Sequence, residues 1–503
     1  MASFDAILAQ GRPFGDSSYI QGQMRAAFMR RLTDLAVDLP VAGDLRIALD
    51  TADHYVRYRM LGDPVVRAAI QQTLGHRIDG ASVTLSLQEC EEVLEAGRDS
   101  VWRGLDGPPC LTSLSDVHYL GNPTSTPWVW GMKQSADVFT RALDRLVTAE
   151  YKNSLCTPSA TDVTVLQEAT RLLRELVPLL SQSALGHVHV IGLFPGTGTW
   201  ERVASSSQFR LTGAIFLNQT TLNNPWWVAE HLLHESLHQK LYDFRHGHSL
   251  LARDLADQLQ GLVDSRTIVS LWNTPGLDDS NRWDSHRALA AFHVYVHLAL
   301  FCSLAEQQAP RLRRVFGPVD AYPPMTSGRK AFDRARYLGE SLRSVCMTDL
   351  GLAGQRLVEW LNSILEALDR RPAPAGAYLH LLLDRYLVEA AKVQQRPPSP
   401  DIAVQLRALA GIEGTTITDL LHRLVPQPEA IEFTAALTRH LGPTDGDAFT
   451  EVRRLIATTL ERLARNGDIL KPGPDPSARA PDEIIKGMIE GSSLILAATG
   501  AIV

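Results

Sequence analysis

Apolar residues along most of this chain recur every three to four positions, the spacing of helices rather than of strands. Gly22 to Leu39 and Pro64 to Leu74 carry that spacing near the N-terminus, and the residues after about 350 carry it almost throughout. Two short apolar runs break it: Val188 to Leu193 and Gly213 to Asn218 read as strands. The pattern therefore predicts a mainly α (α+β) protein, helical with one small β-sheet. The clearest helix covers Trp226 to Phe244, WWVAEHLLHESLHQKLYDF. Leu233, Leu237 and Leu241 form its apolar stripe, while His231, His234, Glu235, His238 and Tyr242 gather on a polar face. Pro225 suits the first helical position, with Asn223 or Asn224 as its cap.

Breaks in the pattern divide the chain into three regions. Residues 1–135 form an N-terminal helical region ending in a linker, Gly104 to Pro127, rich in Gly, Pro, Ser and Thr. Residues 136–350 hold the strand pair, the helix of Trp226 to Phe244 and a second histidine-bearing helix. Residues 351–503 form a C-terminal helical region, bordered by a loop through Arg371 to Gly376 and broken again at Gln395 to Pro400.

Composition narrows the function classes. A net charge of -7, without any basic block, argues against nucleic acid as a partner. Met1 to Phe14 lacks a secretory signature, and the apolar tail Ser492 to Val503 is too short to span a bilayer and reads as a docked terminal element. Cys90, Cys110, Cys156, Cys302 and Cys346 are scattered, without paired spacing, which suits free thiols in a reducing cytoplasm. The expectation is a cytoplasmic protein, not bound to membrane, whose oligomeric state is unknown.

The chemistry centres on His234-Glu235-Ser236-Leu237-His238. Two imidazoles at i and i+4 share a helix face and reach one divalent ion, and Glu235 stands beside them. A strand followed by such a helix is the layout of zincin-like sites, where the sheet borders the HExxH helix. A catalytic metal needs a third protein ligand. The metzincin extension is absent, because Leu241 and Phe244 occupy its positions, and the next glutamate is Glu306. His246 and His248 fall at the end of the helix and read as loop residues. Trp283 to Leu300 offers a better source: His286, His293 and His297 share one stripe. His293 is the favoured third ligand, His297 the next, His286 a supporting group and Asp284 a carboxylate alternative. Three such donors suit iron as well as zinc. With Zn²⁺ the chain would be a metallopeptidase, Glu235 acting as general base on metal-bound water. A peptide-binding module without catalysis is the remaining class.

Glu230 to Leu241 (EHLLHESLHQKL), preceded by a strand and followed by Phe292 to His297 (FHVYVH), resembles the HEXXH-motif domain family linked to bacterial peptide natural products. Members include 2-oxoglutarate-dependent peptide β-hydroxylases, and the likeness covers roughly residues 136–350. It implies a dioxygenase in which His234, His238 and His293 hold Fe(II). The cofactor pair would be Fe(II) and 2-oxoglutarate, and the substrate the β-carbon of a residue in a ribosomally made precursor peptide. Glu235 would then orient a ligand, hold water or contact substrate. The distal carboxylate of 2-oxoglutarate calls for an arginine, for which Arg334, Arg336 and then Arg287 are the candidates.

Overall fold

The computed structural model describes residues 2–104, 118–119, 127–131, 137–201, 203–252, 266–273, 281–373, 375–395, 399–425, 427–442, 448–466 and 483–490. It is mainly helical with a small mixed sheet, as the periodicity predicts. The long loop expected over 104–127 falls mostly outside the described residues, as does the apolar tail after residue 490.

The chain forms two compact units, the first from residues 1–253, 290–331 and 350–364, the second from 254–289, 332–349 and 365–503. This division differs from boundaries at 135/136 and 350/351. The physical reason is one apolar core in the first unit that runs from Met24 through Phe139 and Leu143 to Phe216, so that the N-terminal helices and the strand region fold together.

Within the first unit, α1 (Ala2–Gln10), α2 (Ser17–Leu35), α3 (Pro40–Thr51), α4 (His54–Gly62), α5 (Pro64–Gly75) and α6 (Leu87–Arg103) precede the sheet. Short strands β1 (His118–Tyr119) and β2 (Trp128–Val129) follow, then α7 (Val138–Tyr151), α8 (Ala160–Leu176) and α9 (Pro178–Leu185). Next come β3 (Val190–Phe194), β4 (Ser205–Ser206), β5 (Ala214–Asn218) and α10 (Pro225–Gly247). The sheet order is β1-β2-β3-β5-β4, with β2, β3 and β5 parallel and the outer strands β1 and β4 antiparallel to their neighbours. Both predicted strands are present and adjacent, Val190 pairing with Ala214. Fully buried on both faces, β3 and β5 carry continuous apolar runs, as parallel strands between layers do.

Helix α10 is the central element of this unit. Asn224 caps it by accepting a hydrogen bond from the Trp226 amide, and Pro225 occupies the first turn. It packs on α2, α8, α9 and the sheet, which is why most of its side chains are buried. Leu233, Leu237 and Leu241 are almost fully enclosed, and each contributes roughly 2 kcal/mol of burial. Gly213, with φ of 97°, permits the tight entry to β5 that brings its amide to the Gln239 carboxamide oxygen of α10 at 2.8 Å.

The chain then forms a β6–β7 ribbon (Ile268–Val269 and Arg282–Trp283) of the second unit and α11 (Ser285–Phe316), whose residues from Ala290 onward belong to the first unit. Helix α11 is long and apolar enough to cross a membrane by length and composition, yet 83% of its apolar window is buried, which marks a core helix. Helix α12 (Gly328–Ser341) belongs from Phe332 onward to the second unit and α13 (Leu352–Leu368) mainly to the first, and the remaining helices of the second unit follow. These are α14 (Ala377–Gln395), α15 (Pro400–Leu424), α16 (Gln427–His440) and α17 (Ala448–Arg465), α14 ending and α15 starting at the two ends of the predicted break, Gln395 to Pro400. Their core is leucine-rich and encloses Arg453, which is neutralised by Glu413 at 2.7 Å and Glu389 at 3.3 Å.

Candidate functional site

The polar face of α10 brings His234 and His238 together, with their Nε2 atoms 3.2 Å apart. Two nitrogens bound at about 2.1 Å to one ion, roughly 100° apart, would be separated by about that distance. Both rings are half-buried and so remain reachable, in contrast to the leucine stripe of the same helix. Aromatic neighbours hold them. His231 stacks on Trp227 at 3.7 Å, and its Nδ1 lies 2.9 Å from the Trp227 carbonyl one turn back. The His231 ring in turn lies parallel to that of His234 at 6.3 Å. Tyr242 lies nearly parallel to His238 at 6.1 Å, and Tyr295 of α11 meets His234 edge-on at 6.4 Å. The pair is thus preorganised by packing one turn on either side.

Glu235 does not share their exposure. It is 3% exposed, and its two carboxylate oxygens accept hydroxyl hydrogen bonds from Ser205 and Ser207, each at 2.6 Å. Ser205 belongs to edge strand β4 and Ser207 follows it, so Glu235 fastens the strand to the helix. Burial pushes its pKa above the usual carboxylate value, against the opposing pull of the two serine hydroxyls. Each carboxylate oxygen thus carries one serine hydroxyl, which anchors the group and lowers its basicity as a proton acceptor.

The second histidine helix buries the two histidines favoured as further ligands. His293 is 2% exposed and lines a small cavity with Lys240, Leu241, Phe244, Phe14, Ile20 and Leu357. Its Nδ1 has no hydrogen-bond partner. His297 is equally buried; its Nδ1 lies 2.6 Å from the His293 carbonyl, and burial pushes its pKa down to about 3. Tyr295, two residues along the helix from both His293 and His297, is the α11 side chain that meets His234 edge-on. Among the described residues no group of three His, Cys, Asp or Glu side chains converges to hold a metal. The donor set fits two positions of a divalent ion through the His234 and His238 imidazoles, and the structure does not join His293 to them.

The other candidates have local roles. Asp284 caps α11 by accepting the Arg287 amide at 2.7 Å, and His286 is half-buried in the first turn. The Arg287 guanidinium lies over Trp283 at 5.0 Å and that of Arg334 over Trp272 at 5.1 Å. Arg336 donates to Asp369 at 2.6 Å, so its guanidinium already holds a carboxylate where an oxoacid would have to place its own. All three arginines belong to the second unit, whereas His234 and His238 belong to the first. His246 is inside α10 rather than in a loop: its ring stacks on Phe209 at 5.1 Å, and burial followed by the Arg31 charge pushes its pKa down to about 3. His248 follows the helix as its cap and stacks on Phe244 at 4.2 Å.

Sequence reasoning missed the serines that hold Glu235, because Ser205 and Ser207 lie about thirty residues upstream in a polar stretch without periodicity. It also missed a buried chain of polar groups on another face of α10: Arg67, Asp243, His187 and Ser17. Asp243 inside a helix that is buried on most sides is the signal that could have found it, since an enclosed carboxylate needs a partner. The four cysteines among the described residues are free thiols, as their scatter predicts. No protein-family model matches the chain and no curated protein matches it in sequence, so the likeness to the HEXXH-motif domain rests on Glu230 to Leu241 and Phe292 to His297 alone.

Proposed function

We propose that this chain is a non-haem Fe(II), 2-oxoglutarate-dependent oxygenase that hydroxylates the β-carbon of a residue in a ribosomally made peptide, in a reducing cytoplasm. His234 and His238 would hold the ion. Bound iron with 2-oxoglutarate supplies the activation of oxygen, a chemistry that requires no general base from the HExxH glutamate.

The observation that carries this reading over a zinc peptidase is the double serine clasp on Glu235. Hydrolysis at an HExxH site needs that carboxylate free to take a proton from water. Here it fastens β4 to α10, while the imidazoles beside it remain reachable. Trp227, through His231, and Tyr242 and Tyr295 hold the imidazoles in orientation. The apolar stripe on the other side of α10 keeps water from the core behind them.

The test is binding before turnover. Anaerobic titration of Fe(II)-loaded protein with 2-oxoglutarate is expected to give saturable one-to-one binding that His234→Ala and His238→Ala each remove. Absence of 2-oxoglutarate binding, together with peptide cleavage by Zn²⁺-loaded protein, would return the site to the hydrolases.

A further inference from the structure

Outside the HExxH face, the first unit contains a relay of hydrogen bonds with a definite direction. Ser17 opens α2, and its Oγ lies 2.6 Å from His187 Nε2. His187, between α9 and β3, places Nδ1 2.6 Å from Asp243 Oδ2 on α10. Arg67 of α5 donates through Nη1 to the other oxygen, Asp243 Oδ1, at 2.8 Å. Asp243 is five residues beyond His238, about 140° around the helix, so this assembly is separate from the imidazole pair.

Burial varies along the relay. Arg67, His187 and Asp243 are almost fully enclosed, whereas Ser17 is half-buried and borders a cavity of about 490 Å³. That volume is within the range of small-molecule sites. Tyr55, Tyr58 and Leu179 give it an apolar wall, and Gln10 and Gln182 supply amides at its edge. A purely structural network has no need to end with a hydroxyl at a cavity of ligand size.

The protonation states follow from the contacts. Burial raises the proton affinity of Asp243, but the Arg67 charge and the His187 hydrogen bond outweigh it and hold the carboxyl below the usual range. The ionised carboxylate accepts Nδ1–H, which fixes the tautomer and leaves the lone pair of His187 Nε2 toward Ser17. The same hydroxyl lies 2.9 Å from the Ser183 carbonyl, so its single proton has two acceptors. Lys240 donates to the Gly15 carbonyl and the Ser183 hydroxyl, each at 2.7 Å, and thereby ties the segment before Ser17 to the helix before His187. Asp16 caps α2, its carboxylate accepting the Tyr19 amide at 3.1 Å and pairing with Arg12 at 2.6 Å, which fixes the turn that carries Ser17.

We propose that Ser17, His187 and Asp243 form a second catalytic site, a serine acyl-hydrolase triad that takes small carboxylic esters in this cavity. Ser17 Oγ attacks the ester carbonyl carbon as its proton passes to His187 Nε2. The carbon–oxygen bond to the alcohol breaks, and the departing alkoxide takes the proton from Nε2. Water then attacks the acyl-Ser17 carbonyl, giving its proton to Nε2; Ser17 Oγ leaves and regains that proton. One water is consumed, and one carboxylic acid and one alcohol are formed. Arg67 keeps Asp243 ionised throughout and is a positioning residue.

The test uses the full-length protein in EDTA, so that no metal contributes, with a fluorophosphonate probe and 4-nitrophenyl butyrate. The expected result is one phosphonate per chain, mapped to Ser17, on folded but not on heat-denatured protein. Saturable ester hydrolysis should accompany it and fall at least about 100-fold in Ser17→Ala, with far-ultraviolet circular dichroism unchanged. Should Ser17→Ala fail to fold, the mapped adduct on the wild-type chain decides alone. A folded wild-type chain that takes no phosphonate, an adduct on a different serine, or Ser17→Ala hydrolysing the ester within about twofold of wild type would overturn the proposal. None of these readouts depends on iron or 2-oxoglutarate, so this proposal and the oxygenase reading succeed or fail separately.

Discussion

Replacing Glu235 separates an anchoring carboxylate from a catalytic base. Glu235→Ala removes the acceptor of two hydroxyl hydrogen bonds of 2.6 Å and leaves the Ser207 hydroxyl buried without it. A hydrogen bond to a charged acceptor is worth about 1.5–3 kcal/mol. Because burial raises the proton affinity of Glu235, the lower end applies, and the pair should contribute about 3 kcal/mol. Glu235→Gln retains an oxygen to accept from Ser205 and an amide to donate to Ser207 Oγ, so it should cost only about 1 kcal/mol. Urea denaturation followed by circular dichroism measures both, and hydrogen exchange over residues 203–218 locates the effect at β4. Glu235→Gln should also keep metal and turnover. The reasoning is refuted if Glu235→Ala is as stable as wild type. It is equally refuted if Glu235→Gln retains stability and metal but loses activity, the behaviour of a general base.

Three further outcomes are expected. Arg67→Met leaves the Asp243 charge enclosed and should destabilise the first unit by about 3–5 kcal/mol, read by the urea midpoint. Metal content measured after dialysis should be lost in His234→Ala and His238→Ala and retained in His293→Ala, whose ring lines the cavity beside Lys240. The melting temperature should fall between pH 7.5 and pH 5. His187 and His297 are both enclosed, and burial lowers their pKa values, that of His297 to about 3. Below pH 6.5 the unfolded chain therefore binds protons that the folded chain does not, which costs about 1.4 kcal/mol per pH unit for each such group until its folded pKa is reached. A melting temperature that is constant or rising toward pH 5 would show that these histidines titrate normally.

Much of the fold was legible because it is periodic. The leucine stripe, the polar histidine face, Pro225 and its asparagine cap specify α10 and its start, though the helix runs on past Phe244 to Gly247, and the runs at 188–193 and 213–218 mark the two parallel strands. Periodicity gives each helix its faces but not its rotation against a neighbour. His286, His293 and His297 do share a stripe, yet Tyr295 is the residue presented to His234. The clasp on Glu235 comes from a nonperiodic segment, and the Ser17–His187–Asp243 relay joins positions 170 and 56 residues apart. Contacts of that range follow from tertiary packing and leave no local pattern. The division into units was hidden for the same reason, since both units are assembled from discontinuous segments.

The most direct measurement of the oxygenase reading is the mass of the substrate after reaction. Protein loaded anaerobically with Fe(II) is given 2-oxoglutarate, oxygen and a candidate ribosomally made precursor peptide. The account predicts a peptide heavier by one oxygen atom, the oxygen at a β-carbon, with one succinate formed per modified peptide and neither product from His234→Ala. Peptide fragments formed without succinate would contradict it.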